Sequence, residues 1–552
     1  MQETKGGKNM KKKLISFLLA ATMVLSVTAC GSEETPASSE AGNASVEASQ
    51  EVEAEGITYP IDTDETLKIA MMSYDFKIAG DCTNIADTPF WAAYQEKTGV
   101  KLEVEVFETE DAYNLMLAGG DLPDIIMWAP VLTNGDAEGM IEDEIITTLS
   151  WEELDKWAPD YSAAVKADDV RRKILTLPSG DIIGFANWNG DPSMGSTNGM
   201  IVRGDWMDDL GIEAPQTPDE LLDMLRAFKT EKGAEYPMAL TSHRMNLLFS
   251  YGFFSSPYGL VNGGEYVKDG VYEIGYYQPE YKEYLKLFNT MYEEGLINPD
   301  YLTLEQTTVD GMLYDGRTGM VQQSVIAGLG NYIPALAETI PDAELRGIGS
   351  LPQADGSKAF YGATEGTVSA FKGIITTGCD NKELAMKFLN YGYTEEGQLF
   401  MQFGIEGESY DMVDGVPTYS EVITNSPDGF TMGQMCHQYS RAGSFWPYVA
   451  MLPYFEQNTA HPVQRAAVAA WDNNDRYEYM VPPVQIAEED QSEYSRISTD
   501  VSTYANEMRA KFISGELDID AEFDNYIAGL KDRGIDTQIE IIQKALDVFN
   551  SK

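Results

Sequence analysis

The pattern of apolar and polar residues predicts alternating strands and helices in the first part of the chain. Residues 67–72 form an apolar run typical of a buried strand, and residues 101–107 alternate charged and apolar positions as a half-buried strand does. Residues 89–98 and 111–117 have the pattern of helices, and residues 124–128 that of a third, buried strand. Strands separated by helices pair in parallel, so this pattern predicts an α/β sheet.

The later part of the chain also has the patterns of both strands and helices, and it ends in a block of helices. Thr217 and Pro218 are typical of a helix start, with Thr as the N-cap and Pro at the first helical position. The other elements predicted are helices at 281–293, 383–391 and 395–403, a strand at 371–376, and closing helices at 501–512 and 522–549.

The first thirty residues have the pattern of an export signal. Lys11, Lys12 and Lys13 precede an apolar run at 14–27, which is short for a membrane span. The run closes on Val-Thr-Ala-Cys, which resembles the lipobox of bacterial lipoproteins, where the cysteine is acylated and becomes the first residue. We therefore predict a signal peptide at residues 1–29, a lipid anchor at Cys30 and a location on the extracellular face of the cell membrane. The alternative is a simple secretion signal with an incidental cysteine.

An acidic tether follows the predicted anchor. Residues 31–56 contain seven glutamates, no basic residue and no aromatic residue, so they cannot bury enough apolar surface to offset the entropy of ordering. We expect residues 30–56 to be a flexible spacer. The remaining residues, from 57 onward, are too many for one core, and two or more lobes are expected.

Charge and composition exclude several functions. The net charge of -51 argues against nucleic acid and anionic membrane surfaces as ligands, and no second run of eighteen apolar residues occurs. Cys82, Cys379 and Cys436 are too sparse for a disulfide framework and, like the three histidines, lack metal-ligand spacing. The EF-hand spacing, the nucleophile elbow and the phosphate-binding loop are also absent. We expect no catalytic residue, metal or cofactor.

Aromatic residues beside amides and charged groups point to a binding site. Sugars offer an apolar ring face and a rim of hydroxyls, which suit flat aromatic rings flanked by hydrogen-bonding side chains. Ligands of open α/β sheets gather beyond the carboxyl ends of the strands. The candidate ligand-binding residues are Tyr74, Asp75 and Trp128 after two predicted strands, Asn187, Trp188 and Asn189 in a turn-rich stretch expected to be exposed, and Arg441, Trp446 and Tyr448 in a similar stretch.

The order of motifs along the chain is similar to that of a known family. Residues 91–100 and 114–126 resemble the amino-terminal lobe of family 1 extracellular solute-binding proteins, which serve ABC importers. Further resemblances, some of them to a lipoprotein subgroup of Gram-positive bacteria, occur at 177–184, 201–211, 217–221, 294–300, 404–410 and 523–549.

The resemblance implies a two-lobed, periplasmic-binding-protein-like fold with a hinge and a helical carboxyl-terminal block. The expected division is lobe 1 at 57–185 and 366–430, and lobe 2 at 186–365 and 431–552. It also implies capture of a solute by lobe closure and delivery to an ABC permease and its ATPase. The aromatic and amide clusters favour an oligosaccharide as the solute. The alternatives are a peptide or other nitrogenous solute, and a lipid-anchored carbohydrate-active enzyme.

Overall fold

The structure is a computed structural model, and residues 54–552 belong to one compact unit. It describes residues 56–72, 85–127, 137–177, 179–363, 368, 371–442, 446–484 and 486–551. The predicted signal peptide, most of the tether, and Cys30, Tyr74, Asp75, Cys82 and Trp128 lie outside the described residues.

Fourteen strands and twenty-one α-helices occur in the described part of the chain. The strands are β1 Thr66–Met72, β2 Lys101–Phe107, β3 Ile125–Met127, β4 Phe185–Ala186, β5 Trp188–Asn189, β6 Asn198–Arg203, β7 Glu265–Lys268, β8 Val271–Ile274, β9 Met320–Ser324, β10 Leu345–Ile348, β11 Phe371–Ile375, β12 Tyr410–Val413, β13 Val416–Tyr419 and β14 Val449–Ala450. The helices are α1 Pro89–Thr98, α2 Glu110–Gly119, α3 Ala137–Glu142, α4 Trp151–Trp157, α5 Pro159–Lys166, α6 Asp169–Leu175, α7 Gly204–Leu210, α8 Pro218–Glu231, α9 Ser242–Tyr251, α10 Tyr281–Glu293, α11 Gln306–Tyr314, α12 Gly330–Thr339, α13 Lys382–Asn390, α14 Glu395–Phe403, α15 Glu421–Thr424, α16 Met432–Tyr439, α17 Leu452–Asn458, α18 Pro462–Trp471, α19 Glu488–Ile513, α20 Ile519–Asp532 and α21 Ile535–Ser551.

Lobe 1 is built on a five-stranded sheet with the order β2-β1-β3-β11-β4. Strand β1 pairs in parallel with β2 and β3, whereas β11 is antiparallel to β3 and β4. The carboxyl ends of the parallel strands and the amino end of β11 therefore lie at one edge of the sheet. The α/β fold predicted from the alternation of elements is confirmed.

Lobe 2 is built on an antiparallel sheet with the order β10-β6-β9. Its own apolar core joins this sheet to helices α8, α10 and α19 to α21. The predicted start of α8 is confirmed, because the Thr217 hydroxyl accepts a hydrogen bond from the backbone N–H of Glu220 at 3.2 Å. The helix predicted at 522–549 is instead two helices, since Gly534 adopts a φ of 96° that ends α20 and turns the chain into α21.

Three segments connect the lobes and contact one another. The first runs from β4 to β6, the second from β10 to β11, and the third follows β14. Strand β5 of the first segment pairs in parallel with β14. The Ser196 hydroxyl donates to Asp472 at 2.7 Å, and Ala359 forms a β-bridge with Asn474. These contacts join the connecting segments into one hinge region.

One lobe boundary lies further along the chain than the resemblance implied. Lobe 2 was expected to resume at residue 431, but α16 packs against α1 of lobe 1. The backbone N–H of Arg441 also donates to the carbonyl of Met401 in α14 at 2.7 Å. The contacts therefore keep residues 432–442 with lobe 1. Helix α17 stays there too, because its Gln457 accepts a hydrogen bond from the backbone N–H of Tyr419 in β13 at 2.9 Å, so the last crossing lies between α17 and α18.

None of the helices in the described part of the chain combines the length and apolar character needed to span a bilayer.

Candidate functional site

The two aromatic and amide stretches singled out in the sequence meet in the hinge region. Strands β5 and β14, which carry or adjoin them, pair in parallel. The side-chain amide of Asn187 donates to the backbone carbonyls of Trp446 and Tyr448, both at 3.0 Å. Asn187 is 1% exposed, so it satisfies two buried carbonyls and fastens the stretches together.

The described aromatic rings of these stretches are buried, and the expectation that these rings are exposed is wrong. Trp188 is 2% exposed and Trp446 is 1% exposed, and Tyr448 is also fully buried. The Trp188 ring stacks on Tyr393 with centroids 5.6 Å apart, and the guanidinium of Arg171 lies 4.4 Å from its centroid. Pairing between β5 and β14 brings each stretch into the core, which is why the indoles offer no open face in this conformation.

Arg441 is a buried cation that packs among aromatic rings. Its guanidinium lies 4.2 Å from the centroid of Phe90 and donates to the carbonyls of His437 and Ser440 at 2.8 and 2.6 Å. It also donates to the hydroxyl of Thr88 at 3.1 Å. Burial, and then the positive charge of Arg441, lower the pKa of His437 to about 4. These contacts give Arg441 a part in joining α16 to α1.

Asn189 is the one described candidate that keeps partial exposure. The ligand-binding roles predicted for Asn187, Trp188, Asn189, Arg441, Trp446 and Tyr448 stay predictions. For the buried members, a ligand contact requires that the packing described above opens.

A polar network that the sequence reading missed lies in lobe 2, at the end of β9. The guanidinium of Arg244 donates to three glutamine side-chain carbonyls. The distances are 3.0 Å to Gln306, 3.1 Å to Gln322 and 2.8 Å to Gln323. Because one planar cation donates its three hydrogen bonds in a fixed fork, the three amides are held in one orientation.

An aspartate and a tyrosine extend this network. Gln306 donates to Asp310 at 2.9 Å, and the hydroxyl of Tyr332 donates to the same carboxylate oxygen at 2.6 Å. Burial, and then the hydrogen bond to Asp310, raise the pKa of Tyr332, so its phenol stays protonated at physiological pH. We call Arg244, Gln306, Asp310, Gln322, Gln323 and Tyr332 the amide network.

One hydrogen-bond donor of the amide network, the side-chain nitrogen of Gln322, has no partner among the described residues. The carbonyl oxygen of Gln322 is engaged by Arg244, whereas its side-chain nitrogen is buried and has no partner among the described residues. A buried donor without a partner costs free energy and is found where a ligand or an ordered water completes the bond. The network therefore holds one oriented N–H donor of the kind that binds a neutral, hydroxyl-bearing molecule, and, as for the buried indoles, contact with a ligand requires that the packing around Gln322 opens.

The network adjoins the hinge. Ser324 at the end of β9 pairs with Asn198, where the chain enters lobe 2, and the backbone N–H of Val325 donates to the carbonyl of Thr197 at 2.7 Å. This edge of lobe 2 thus lies against the first connecting segment.

No group of three or more His, Cys, Asp or Glu side chains arranged to hold a metal ion occurs among the residues that the structure describes.

The sequence matches a known family over more than half its length. Residues 81–399 match the family described as bacterial extracellular solute-binding protein. The fructooligosaccharide ABC transporter substrate-binding protein FusA of Streptococcus pneumoniae is 23% identical over 569 residues, covering 97% of this chain and 98% of FusA. Lipoprotein LipO of Bacillus subtilis is 24% identical over 359 residues, covering 60% of this chain and 66% of LipO.

Solved structures of solute-binding proteins share the fold. Alginate-binding protein AlgQ2 superposes with a TM-score of 0.72 at 22% identity, covering 89% of this chain and 100% of AlgQ2. FusA in complex with kestose has a TM-score of 0.68 at 19% identity, covering 88% of this chain and 99% of FusA. These neighbours confirm the two-lobed, periplasmic-binding-protein-like fold. With the family match, they establish that this chain belongs to the bacterial extracellular solute-binding proteins.

Proposed function

We propose that this protein captures an oligosaccharide outside the cell and delivers it to an ABC importer. The observation that carries the proposal is the amide network beside the hinge, with the unpartnered side-chain nitrogen of Gln322. Neutral sugars bind through many hydrogen bonds shared with amides, and the network presents amides already oriented by Arg244.

Relatives of the same fold support the ligand class. FusA was solved with kestose, AlgQ2 is an alginate-binding protein, and a third neighbour, from Bifidobacterium longum infantis, is described as an HMO-binding solute-binding protein. We infer that the solute of this chain belongs to the same broad class of oligosaccharides.

Lobe closure would couple binding to transport. A ligand shifts a protein toward a closed state only by the difference between its affinities for the two states, so it must contact both lobes when they close. The amide network supplies the contacts of lobe 2. The carboxyl edge of the lobe 1 sheet would supply the others, together with the predicted residues Tyr74, Asp75 and Trp128, which follow β1 and β3 in the sequence. The permease and ATPase would then recognise the closed, loaded form.

Titration calorimetry with defined sugars tests the ligand class. The panel is fructo-, malto- and xylo-oligosaccharides, oligogalacturonides and a tripeptide, each at low and high salt. We expect a neutral oligosaccharide to bind, with an affinity that changes little with salt because no net charge is screened. Preferential binding of the peptide, or a tenfold loss of affinity at high salt for the best ligand, would contradict the proposal. Chromatography of the sugar after incubation with the protein tests the enzyme alternative. An enzyme would leave shortened sugar products.

Cys30→Ala is expected to release the protein from the membrane. The thiol is the acylation site in the lipobox that residues 27–30 resemble, and stable tethering needs acyl chains on it. The measurement is the distribution between membrane and medium after salt and alkaline washes. Cys436→Ala is the matched control and should remain in the membrane fraction. Retention of the Cys30 variant in the washed membranes would show that the anchor is not this cysteine.

A further inference from the structure

A cavity of about 690 Å³ opens within lobe 2, and no residue of the amide network lines it. It is lined by twelve residues, and none of the twelve is Lys, Arg or His. Four of them are tyrosines: Tyr251, Tyr276, Tyr361 and Tyr494. Its volume is in the range of small-molecule sites, and its lining combines aromatic faces with a single carboxylate.

That carboxylate belongs to Glu265, at the start of β7. Glu265 is reached by solvent but surrounded by protein, and this burial raises the pKa of its carboxyl. It makes no ion pair among the described residues. Burial, and then the charge of Glu265, also raise the pKa of Tyr494 to about 12, so the neighbouring phenol stays neutral. Without a bound cation the charged form of this carboxyl is disfavoured, and no cationic side chain of the described residues pairs with it.

A second acceptor without a partner faces the same cavity. Gln538, in the first turn of α21, is 2% exposed, and its side-chain oxygen has no hydrogen-bond donor among the described residues. Leaving a buried acceptor unsatisfied costs free energy, so its presence at a cavity indicates that a bound molecule supplies the donor.

The hydroxyl groups of the cavity wall are also turned to act as acceptors. Four of them donate their protons to carbonyls of their own helices, which leaves lone pairs for a ligand. They are Ser250 to Asn246 at 3.0 Å, Ser498 to Ser495 at 3.3 Å, Thr499 to Ser495 at 2.8 Å and Ser502 to Thr499 at 3.2 Å. A ligand that brings several N–H donors suits such a wall better than one that must also accept.

We propose that this cavity binds the ammonium group of a small organic amine. Glu265 would pair with the charge, the Gln538 oxygen would accept an N–H, and the tyrosine rings would contact the cation through their faces. The ammonium comes either from an amino sugar or from a free alkyl amine. The site goes beyond the proposed function, because its chemistry does not depend on which neutral oligosaccharide the amide network holds.

Calorimetry with three probes tests this site in the absence of any oligosaccharide. The probes are glucosamine, 1,4-diaminobutane and, as the neutral match, N-acetylglucosamine. We expect at least one of the two amines to bind, more weakly as salt is raised, and N-acetylglucosamine not to bind at this site. Binding of glucosamine identifies an amino sugar as the source of the ammonium, and binding of diaminobutane alone identifies a free amine.

Two substitutions assign the binding to the cavity. Glu265→Gln keeps the shape and removes the charge, and it should weaken amine binding at least tenfold. Gln538→Met removes the acceptor and should weaken binding as well, which keeps the test valid if the first variant does not fold. Asp524→Asn, an exposed position on α20 outside the cavity, removes an equal charge and should leave binding unchanged.

Three results would overturn the proposal. They are absence of amine binding to the wild-type chain, equal binding by Glu265→Gln, and equal binding of N-acetylglucosamine. None of these outcomes bears on binding of the neutral oligosaccharide.

Discussion

Arg244→Met is expected to weaken binding of the transported oligosaccharide by about thirtyfold or more. The substitution removes three hydrogen bonds that orient the amides of Gln306, Gln322 and Gln323. Loss of a residue that organises a binding site costs roughly 2 kcal/mol or more, and each 1.4 kcal/mol is tenfold in affinity. Calorimetric titration of the best sugar into the variant measures the loss.

Two further variants separate orientation from charge and from folding. Arg244→Lys keeps the charge but cannot hold three planar amides in one fork, so it should be almost as impaired as the methionine variant. Arg226→Met is the matched control, because Arg226 forms exposed ion pairs with Glu294 and Asp223 on the surface of lobe 2. It should bind sugar like the wild-type protein. Wild-type affinity in Arg244→Met would show that the amide network takes no part in binding.

The sequence predicted the framework of lobe 1 closely because its elements carry strong local signals. The alternation at 101–107 predicted β2 at its observed bounds, and the apolar run at 67–72 predicted β1 within one residue. Such patterns show which face of a strand is buried, and they can be read from the residues of that strand alone. The break at Gly534 was missed because the apolar periodicity of 522–549 continues through it.

The candidate site was harder to predict because it is assembled from distant segments. Arg244 lies on α9 and reaches Gln306 on α11 and Gln322 and Gln323 on β9, 62 to 79 residues away in sequence. The one local signal was the pair of adjacent glutamines, Gln322 and Gln323, which follow the two apolar residues at the start of β9. Polar residues at both faces of a buried strand must find partners, and this pair indicates a network or a ligand.

The aromatic clusters misled the sequence reading for a related reason. Asn-Trp-Asn-Gly-Asp at 187–191 has the composition of an exposed turn. Its pairing partner, β14, lies about 260 residues later, and the two strands are only two residues long each. Composition cannot reveal a distant strand that buries a polar stretch. Here pairing with β14 buries Asn187 and Trp188 within the hinge region, where an exposed turn had been predicted.

Asn187→Leu is expected to lower the free energy of unfolding by about 2–5 kcal/mol. The leucine has nearly the volume of asparagine but leaves the buried carbonyls of Trp446 and Tyr448 without their donor, at roughly 1–3 kcal/mol for each unsatisfied group. The midpoint of denaturant unfolding of the mature chain without ligand measures the change. Asn189→Ala is the matched control, because Asn189 is only half-buried and its replacement should lower the free energy of unfolding by less than about 1 kcal/mol.

An unchanged midpoint in Asn187→Leu would mean that these two bonds do not hold the first and third connecting segments together. A loss of sugar affinity in Asn189→Ala without a loss of stability would instead support its predicted contact with the ligand. The two neighbouring asparagines thus separate the hinge's structural bonds from its binding surface.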